Sequence, residues 1–170
     1  MFNIKSDSRY RSCLVAKGFS QVEGIDFNEL FSPVVHYETA WLLLAVAVLE
    51  DLDIQSVDVK TAHLYGDLDE EIYMEQPEGF KLPRKENKVW WLCKALYSLK
   101  QAGLSWWRTM TQSMLVLGFK RCKSDAGVYY YHNKKTKALV IAIIYVNDVC
   151  FIGTKSSLLL NELKQKFMAR

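Results

Sequence analysis

The 170-residue sequence contains only 3 prolines and 8 glycines, and it has no long run of apolar residues. Its longest apolar stretches, at positions 39–49 and 138–146, are much shorter than the roughly 20 residues that a membrane-spanning helix requires. No repeat, low-complexity tract or linker rich in Pro, Gly and Ser divides the chain. With 50% hydrophobic residues, the sequence predicts one folded domain without a membrane partner.

The sequence also lacks the motifs of several enzyme classes. It has no phosphate-binding P-loop, no dinucleotide-binding glycine fingerprint, no nucleophile elbow and no HExxH helix. Its 3 histidines are isolated, and its 4 cysteines are scattered without a CxxC pair, which argues against a zinc site. The N-terminus has no apolar signal-peptide core, so an intracellular, reduced protein is expected.

Charge is unevenly distributed along a chain whose net charge is only +3. Residues 1–100 carry 11 basic and 16 acidic side chains, whereas residues 101–170 carry 11 basic and 3 acidic ones. Such a basic segment can bind a polyanion, although the lysines at positions 134, 135 and 137 are equally typical of a solvated turn. Both interpretations stay open at this point.

Hydrophobic periodicity predicts a mixture of helices and strands. Helices are predicted at Thr39–Glu50, Gly103–Leu117 and Ser157–Phe167, the first apolar on nearly every face and therefore buried, the second capped by Gly118. Strands are predicted at Asp53–Val59, Glu71–Glu75, Lys88–Lys94, Val128–His132, Ala138–Val146 and Val149–Gly153. The last two strands form a hairpin with Asn147 and Asp148 at its tip. This order favours an α+β fold with a split sheet.

Two aspartates are candidates for metal binding, because each is attached to a predicted strand in apolar surroundings. Asp58 ends one strand, and Asp148 lies at the hairpin tip. Carboxylates that face each other on rigid strands can bind divalent cations through oxygen, and a pair of such cations can catalyse phosphoryl transfer. However, Asn and Asp are also favoured in tight turns by their local backbone hydrogen bonds, so the residues alone leave both explanations open.

Four longer motifs follow one another along the chain: LVAKGFSQVEGIDFNELFSPVV, VDVKTAHLYGDLDEEIYMEQPEGF, ALYSLKQAG and YVND. Together they closely resemble the reverse transcriptase of copia-type LTR retrotransposons, from about Arg9 to Phe167. The resemblance implies the fingers and palm of a right-hand polymerase, with a mixed, mainly antiparallel sheet packed on helices. It also implies RNA-directed DNA polymerisation from deoxynucleoside triphosphates on an RNA or DNA template-primer, with two Mg²⁺ ions.

The resemblance also assigns roles to individual residues. In the family, the two Mg²⁺ ions are held by one aspartate of the VDVKTAF motif and by both aspartates of Tyr-Val-Asp-Asp. Carried over by position, the catalytic set is Asp58, Asn147 and Asp148, of which Asp58 and Asp148 remain metal ligands. The residues implied in nucleotide binding are Val59, His63, Ser98, Lys100 and Gln101.

Several motif positions depart from the family pattern. Asn147 replaces the middle aspartate, His63 replaces a phenylalanine at the sugar gate, and Ser98 replaces a glycine before Leu-Lys-Gln. Further departures are Cys13, Trp41, Ala126 and Gly127, which stand where the family has a basic residue, Arg, Pro and Cys. A neutral amide brings no charge to a dication site, and the fragment ends before the thumb of the family, so activity is expected to be impaired by Asn147 and by truncation. The alternative is a non-catalytic, nucleic-acid-binding remnant, or a decayed reading frame without a role.

The resemblance sets expectations about organisation as well. Residues 1–170 correspond to a single fingers-and-palm fragment, without thumb, connection or ribonuclease H. The expected context is a larger Pol polyprotein, acting in a cytoplasmic particle or in the nucleus. In the folded chain, Asp58 and Asp148 should lie on different strands of one sheet, with helices Thr39–Glu50 and Gly103–Leu117 together on its opposite surface.

Overall fold

The computed structural model describes residues 12–134, 136–155 and 158–169. Three α-helices are present in this part of the chain: α1 at Tyr37–Leu49, α2 at Ala102–Val116 and α3 at Leu158–Met168. The strands are β1 at Leu52–Asp58, β2 at Asp67–Glu75, β3 at Val89–Lys94, β4 at Lys120–Arg121, β5 at Val128–His132, β6 at Leu139–Tyr145 and β7 at Asp148–Thr154. Short 3₁₀ helices occupy Gly18–Ser20 and Ala62–Tyr65.

The strands form two sheets, which confirms the predicted α+β class. A five-stranded sheet has the order β1-β7-β6-β5-β4, and β2 and β3 form a separate two-stranded sheet. All the paired strands run antiparallel. Because β1 joins the sheet beside the last strand, residues far apart in sequence meet at one sheet edge.

The five-stranded sheet is covered on both faces. On one face, alternate residues such as Ala142 and Phe151 pack against α2 and α3 in the largest apolar core. On the other face, Ile143 and Ile152 pack against Ala47 of α1. The expectation that α1 and α2 share one surface is therefore wrong. Strands as continuously apolar as β6 require cover on both faces, and the two helices supply it from opposite sides.

Helix α1 is much less buried than its composition predicts. Only Ala47 is buried along its length, while Trp41, Leu42, Val48 and Leu49 are 70%, 64%, 75% and 82% exposed. The expectation that this helix is buried on nearly every face is wrong for this chain. A helix lying on a sheet covers it with one face only, and no other described element covers the outer face of α1.

The end of α2 follows the predicted capping. Gly118 has φ +89°, its N–H donates to the carbonyl of Leu115, and the N–H of Phe119 donates to the carbonyl of Met114. These paired hydrogen bonds are those of a Schellman motif, whose left-handed position favours glycine. Gly118 therefore ends α2 as predicted.

The hairpin between β6 and β7 turns one residue earlier than predicted. Tyr145 pairs with Asp148, so the tip consists of Val146 and Asn147, and Asp148 is the first residue of β7. Val146 has φ +54°, which is uncommon for a β-branched residue, and no sequence signal indicates it. Three smaller differences are the two-residue β4, the earlier start of β2 and the start of α3 at Leu158. Residues 156 and 157 lie outside the described part of the chain.

A buried carboxylate fixes the beginning of α1. Asp125 is 3% exposed and accepts hydrogen bonds from the backbone N–H groups of His36 (3.0 Å) and Gly127 (2.9 Å). His36 is the N-cap residue of α1, whose own side chain makes no capping bond. Asp125 therefore supplies, from a loop 89 residues away, an acceptor for the free donors at this helix end.

Candidate metal and nucleotide site

Asp58 and Asp148 lie directly opposite each other at one edge of the five-stranded sheet. Asp58 is the last residue of β1, Asp148 is the first of β7, and the two are register partners. Opposed Cα atoms of antiparallel strands are about 4.5–5.5 Å apart, and their side chains share one face. Their neighbours Val57 and Val149 point to the α2 and α3 core, so both aspartates lie on the α1 face, where they are exposed. The predicted placement on two strands of one sheet is confirmed.

Asn147 contacts this pair through its amide nitrogen. Its Nδ2 donates a hydrogen bond to Oδ1 of Asp58. The opposite orientation would set the amide oxygen against a carboxylate, so the donor assignment follows from charge. Asn147 is thus placed with Asp58 and Asp148, as the resemblance implies, but it presents a donor where a metal requires an acceptor.

Hydrogen bonds from Trp106 and Val59 hold the tip of the β6–β7 hairpin in place. The carbonyl of Val146 accepts a hydrogen bond from Trp106 Nε1 at 2.7 Å, and the carbonyl of Asn147 accepts one from the N–H of Val59 at 2.9 Å. Trp106 is buried in α2, and no pattern in the sequence connects it with the hairpin. Together the two bonds stabilise the left-handed Val146, a costly conformation of the kind that clusters at functional sites.

Two carboxylates provide the negative charge of the site. Like charges directly opposite each other destabilise a sheet, and the amide of Asn147 offsets part of this cost by donating to Asp58. Among the described residues, no group of three or more His, Cys, Asp or Glu side chains is arranged to hold a metal ion. The oxygen donors of Asp58 and Asp148 are nevertheless of the type that Mg²⁺ prefers.

The motif after Asp58 contacts the motif around Ser98. The rings of His63 and Tyr97 meet edge to face with 5.5 Å between centroids. Burial lowers the pKa of the half-buried His63, which favours its neutral imidazole. Val59 differs from these residues because its side chain packs on the α2 and α3 core, and it lines a cavity of 230 Å³.

Lys100 and Gln101 fasten the 18–27 segment to the start of α2. Gln101 is 2% exposed, its Nε2 donates to the carbonyl of Asp26 at 2.8 Å, and its Oε1 accepts from Gln21 at 3.0 Å. The ammonium of Lys100 lies over the ring of Phe27, 4.7 Å from its centroid. The Gln101 amide is therefore occupied within the protein, whereas Lys100 is exposed.

Ser98 adopts a backbone conformation that favours glycine. Its φ is +71°, and it stands where the resembling family has Gly. Replacing Ser98 by Gly should therefore raise the free energy of unfolding by about 0.5–1 kcal/mol, because relief of the left-handed strain exceeds the added entropy of the unfolded chain. Urea denaturation measures this change. Ser56→Gly, in the extended backbone of β1, is the matched control and should lower stability; an equal loss in both variants would contradict the prediction.

Comparison with known proteins identifies the family. Residues 2–170 match the family described as Reverse transcriptase (RNA-dependent DNA polymerase). The chain is 41% identical over 164 residues to the Retrovirus-related Pol polyprotein from transposon TNT 1-94 of Nicotiana tabacum, covering 94% of this chain and 12% of that protein. It is 37% and 35% identical over 166 residues to the corresponding polyproteins from transposons RE1 and RE2 of Arabidopsis thaliana, covering 96% of this chain and 11% of each. No solved structure matches the chain.

The match extends over nearly the whole sequence, including the strands that carry Asp58 and Asp148. The chain spans about an eighth or less of the curated relatives' length. In the described part of the chain, no helix has the length and apolarity to cross a membrane. The chain belongs to the reverse transcriptase family, as a reverse transcriptase domain of the kind found in the Pol polyproteins of copia-type retrotransposons.

Proposed function

We propose that this domain is the fingers and palm of an RNA-directed DNA polymerase, impaired in this copy by Asn147. Its reaction is the transfer of a deoxynucleotide from a deoxynucleoside triphosphate to a primer on an RNA or DNA template. It acts within a larger Pol polyprotein, in a cytoplasmic particle or in the nucleus. The observation that carries this proposal is the register pairing of Asp58 with Asp148 at one exposed sheet edge.

We assign the palm and the fingers to the two sheets. The palm comprises the five-stranded sheet with α1, α2 and α3, and it carries both aspartates. The fingers comprise β2, β3 and the 18–27 segment, which is attached to the palm through Gln101. Positioning the finger segment is the role we assign to Gln101. Contact with a triphosphate is the role we assign to the exposed Lys100, whose ammonium lies over Phe27.

The donor set of the site fits one divalent cation better than two. Asp58 and Asp148 would supply the carboxylate oxygens for Mg²⁺, and Asn147 adds no charge. A bound Mg²⁺ would supply positive charge that stabilises the phosphoryl-transfer transition state. The two aspartates would bind and orient this ion at the edge of the rigid sheet. Val59 contributes its backbone N–H, which donates a hydrogen bond to the carbonyl of Asn147 and so holds the hairpin tip.

His63 is proposed to face the sugar of the incoming nucleotide. An imidazole is smaller and more polar than phenylalanine, so it should exclude a ribose 2′-hydroxyl poorly. In a variant with measurable polymerisation, His63→Phe is expected to raise the preference for deoxynucleotides over ribonucleotides by about tenfold, a difference of about 1.4 kcal/mol. Competitive incorporation of the two nucleotides measures this ratio. An unchanged ratio would show that His63 does not face the sugar, and Tyr97→Phe controls for changes in ring packing.

Templated incorporation is the experiment that tests the proposed function. A DNA primer annealed to an RNA template is supplied with each deoxynucleoside triphosphate separately, using protein that carries Asn147→Asp. Only the nucleotide complementary to the template base should be added, and Asp58→Ala in the same protein should abolish addition. Addition that ignores the template, or that survives Asp58→Ala, would contradict the proposal.

Non-catalytic binding of nucleic acid is the second candidate function, favoured by the charge distribution. Residues 101–170 carry 11 basic and 3 acidic side chains, and one of the acidic ones, Asp125, is buried. Binding of an RNA·DNA hybrid should therefore weaken at least tenfold between about 50 and 200 mM salt, because phosphate contacts release counterions. Fluorescence anisotropy measures it, and Lys134→Gln with Lys137→Gln should flatten the dependence. Salt-independent affinity would exclude an electrostatic surface there.

A further inference from the structure

The amide of Asn147 contacts a carboxylate that a divalent cation would also use. The Nδ2 of Asn147 donates to Oδ1 of Asp58. This NH₂ group has no lone pair to offer a cation, whereas each Asp58 oxygen has lone pairs that either partner can use. A cation bound through that oxygen must therefore share or displace the hydrogen bond.

The fold fixes the backbone that carries the amide of Asn147. The backbone of the hairpin tip is fixed by Trp106 on one side and by the N–H of Val59 on the other. Asn147 is half-buried beside the exposed Asp58 and Asp148. The side chain therefore extends from a fixed backbone, and its amide contacts Oδ1 of Asp58.

We propose that Asn147 is an internal competitor of the metal. Its amide occupies Oδ1 of Asp58 through a hydrogen bond and stabilises the metal-free site. The substitution at this position thus does more than remove a ligand, because it adds a contact that opposes cation binding. This inference rests on the proposed function, in which Asp58 and Asp148 hold the cation. It predicts that shortening Asn147 improves cation binding, whereas a residue that acts as a ligand would produce a loss.

Binding of Mn²⁺ to the whole chain tests this directly, with free Mn²⁺ followed by electron paramagnetic resonance. Asn147→Ala should bind Mn²⁺ about 3- to 10-fold more tightly than the wild type, because the cation no longer has to displace the exposed hydrogen bond from the amide to Asp58. Asn161→Ala, which removes an exposed amide on α3 that bonds to Gln55, is the matched control and should leave binding unchanged. Weaker or unchanged binding by Asn147→Ala would overturn the inference.

Two further measurements separate this inference from the proposed function. Asp58→Asn should reduce Mn²⁺ affinity; if it does not, the proposed cation site itself fails. Thermal unfolding in EDTA should occur about 2–4 °C lower in Asn147→Ala than in the wild type, and Mn²⁺ should raise the melting temperature of the variant more. An Asn147→Ala protein as stable as the wild type without metal would show that the amide contact does not stabilise the free site.

Discussion

Replacing Asn147 by Asp is expected to raise the rate of primer extension by about 10³-fold or more over the wild type. The side chains have nearly the same size, so the hairpin should keep its shape. The substitution adds a third carboxylate to Asp58 and Asp148, and it replaces the donor that now contacts Asp58 with an acceptor. Three carboxylates would hold a divalent cation more tightly than two, and the bound cation would supply positive charge that stabilises the phosphoryl-transfer transition state. Single-nucleotide incorporation in excess Mg²⁺ measures both rates.

Two controls make this prediction specific to the site. Asn161→Asp adds the same charge on the exposed surface of α3 and should not restore extension. Asp58→Ala should remove the activity that Asn147→Asp restores. A wild-type protein that already extends primers as fast as Asn147→Asp would contradict the account of Asn147, and it would leave the family assignment intact.

Replacing Asp125 by Asn should lower the free energy of unfolding by about 2–3 kcal/mol at pH 7, the largest stability effect we expect from one substitution. The buried carboxylate accepts the N–H groups of His36 and Gly127 at the beginning of α1. An amide of the same shape keeps one acceptor and loses the charge that favours a helix N-terminus. Urea denaturation of both proteins measures the difference, and Glu78→Gln on an exposed loop is the control.

The effect of Asp125 should depend on pH. Burial acts to raise its pKa, but the hydrogen bonds from Thr39, Gly127 and His36 outweigh burial and hold the pKa below its ordinary value of 3.8. A carboxyl with a lowered folded-state pKa stabilises the protein above the unfolded value and loses this contribution as pH falls through the folded one. The gap between wild type and Asp125→Asn should thus be constant from pH 7 to 5 and shrink below 3.8. A gap that widens in acid would contradict this role.

Local patterns predicted the strands well and the cover of the helices poorly. Strand β5 has the predicted bounds, Val128–His132, because β-branched and aromatic residues between turn residues leave little alternative. The outer face of α1 is as apolar as its inner face, so composition could not show that only one face is covered. At the hairpin tip, residue preference favours a turn at Asn147 and Asp148, but the pairing of Asp148 with Tyr145 moves Val146 into it.

The sequence also predicted only part of the candidate site. The residues alone could not separate turn chemistry from metal chemistry at Asp148, and only the longer motifs indicated polymerisation. Long-range contacts leave no local pattern in a sequence. The spacing of Trp106 indicates only a core residue of α2, although its indole also holds the hairpin. Gln101 has the sequence context of an exposed motif residue, although it is buried. The positive φ of Ser98 could be inferred only from the glycine that the family has at this position.

Locating a bound cation tests the central claim most directly, that Asp58 and Asp148 form the metal site of a polymerase domain. The measurement is the paramagnetic broadening of backbone amide signals as Mn²⁺ is added to isotope-labelled Asn147→Asp protein. We expect the amides of Asp58, Val59 and Asp148 to broaden first, and Asp58→Asn to remove this effect. Broadening that begins at the acidic strand β2, Asp67–Glu75, while Asp58 and Asp148 stay sharp would contradict it.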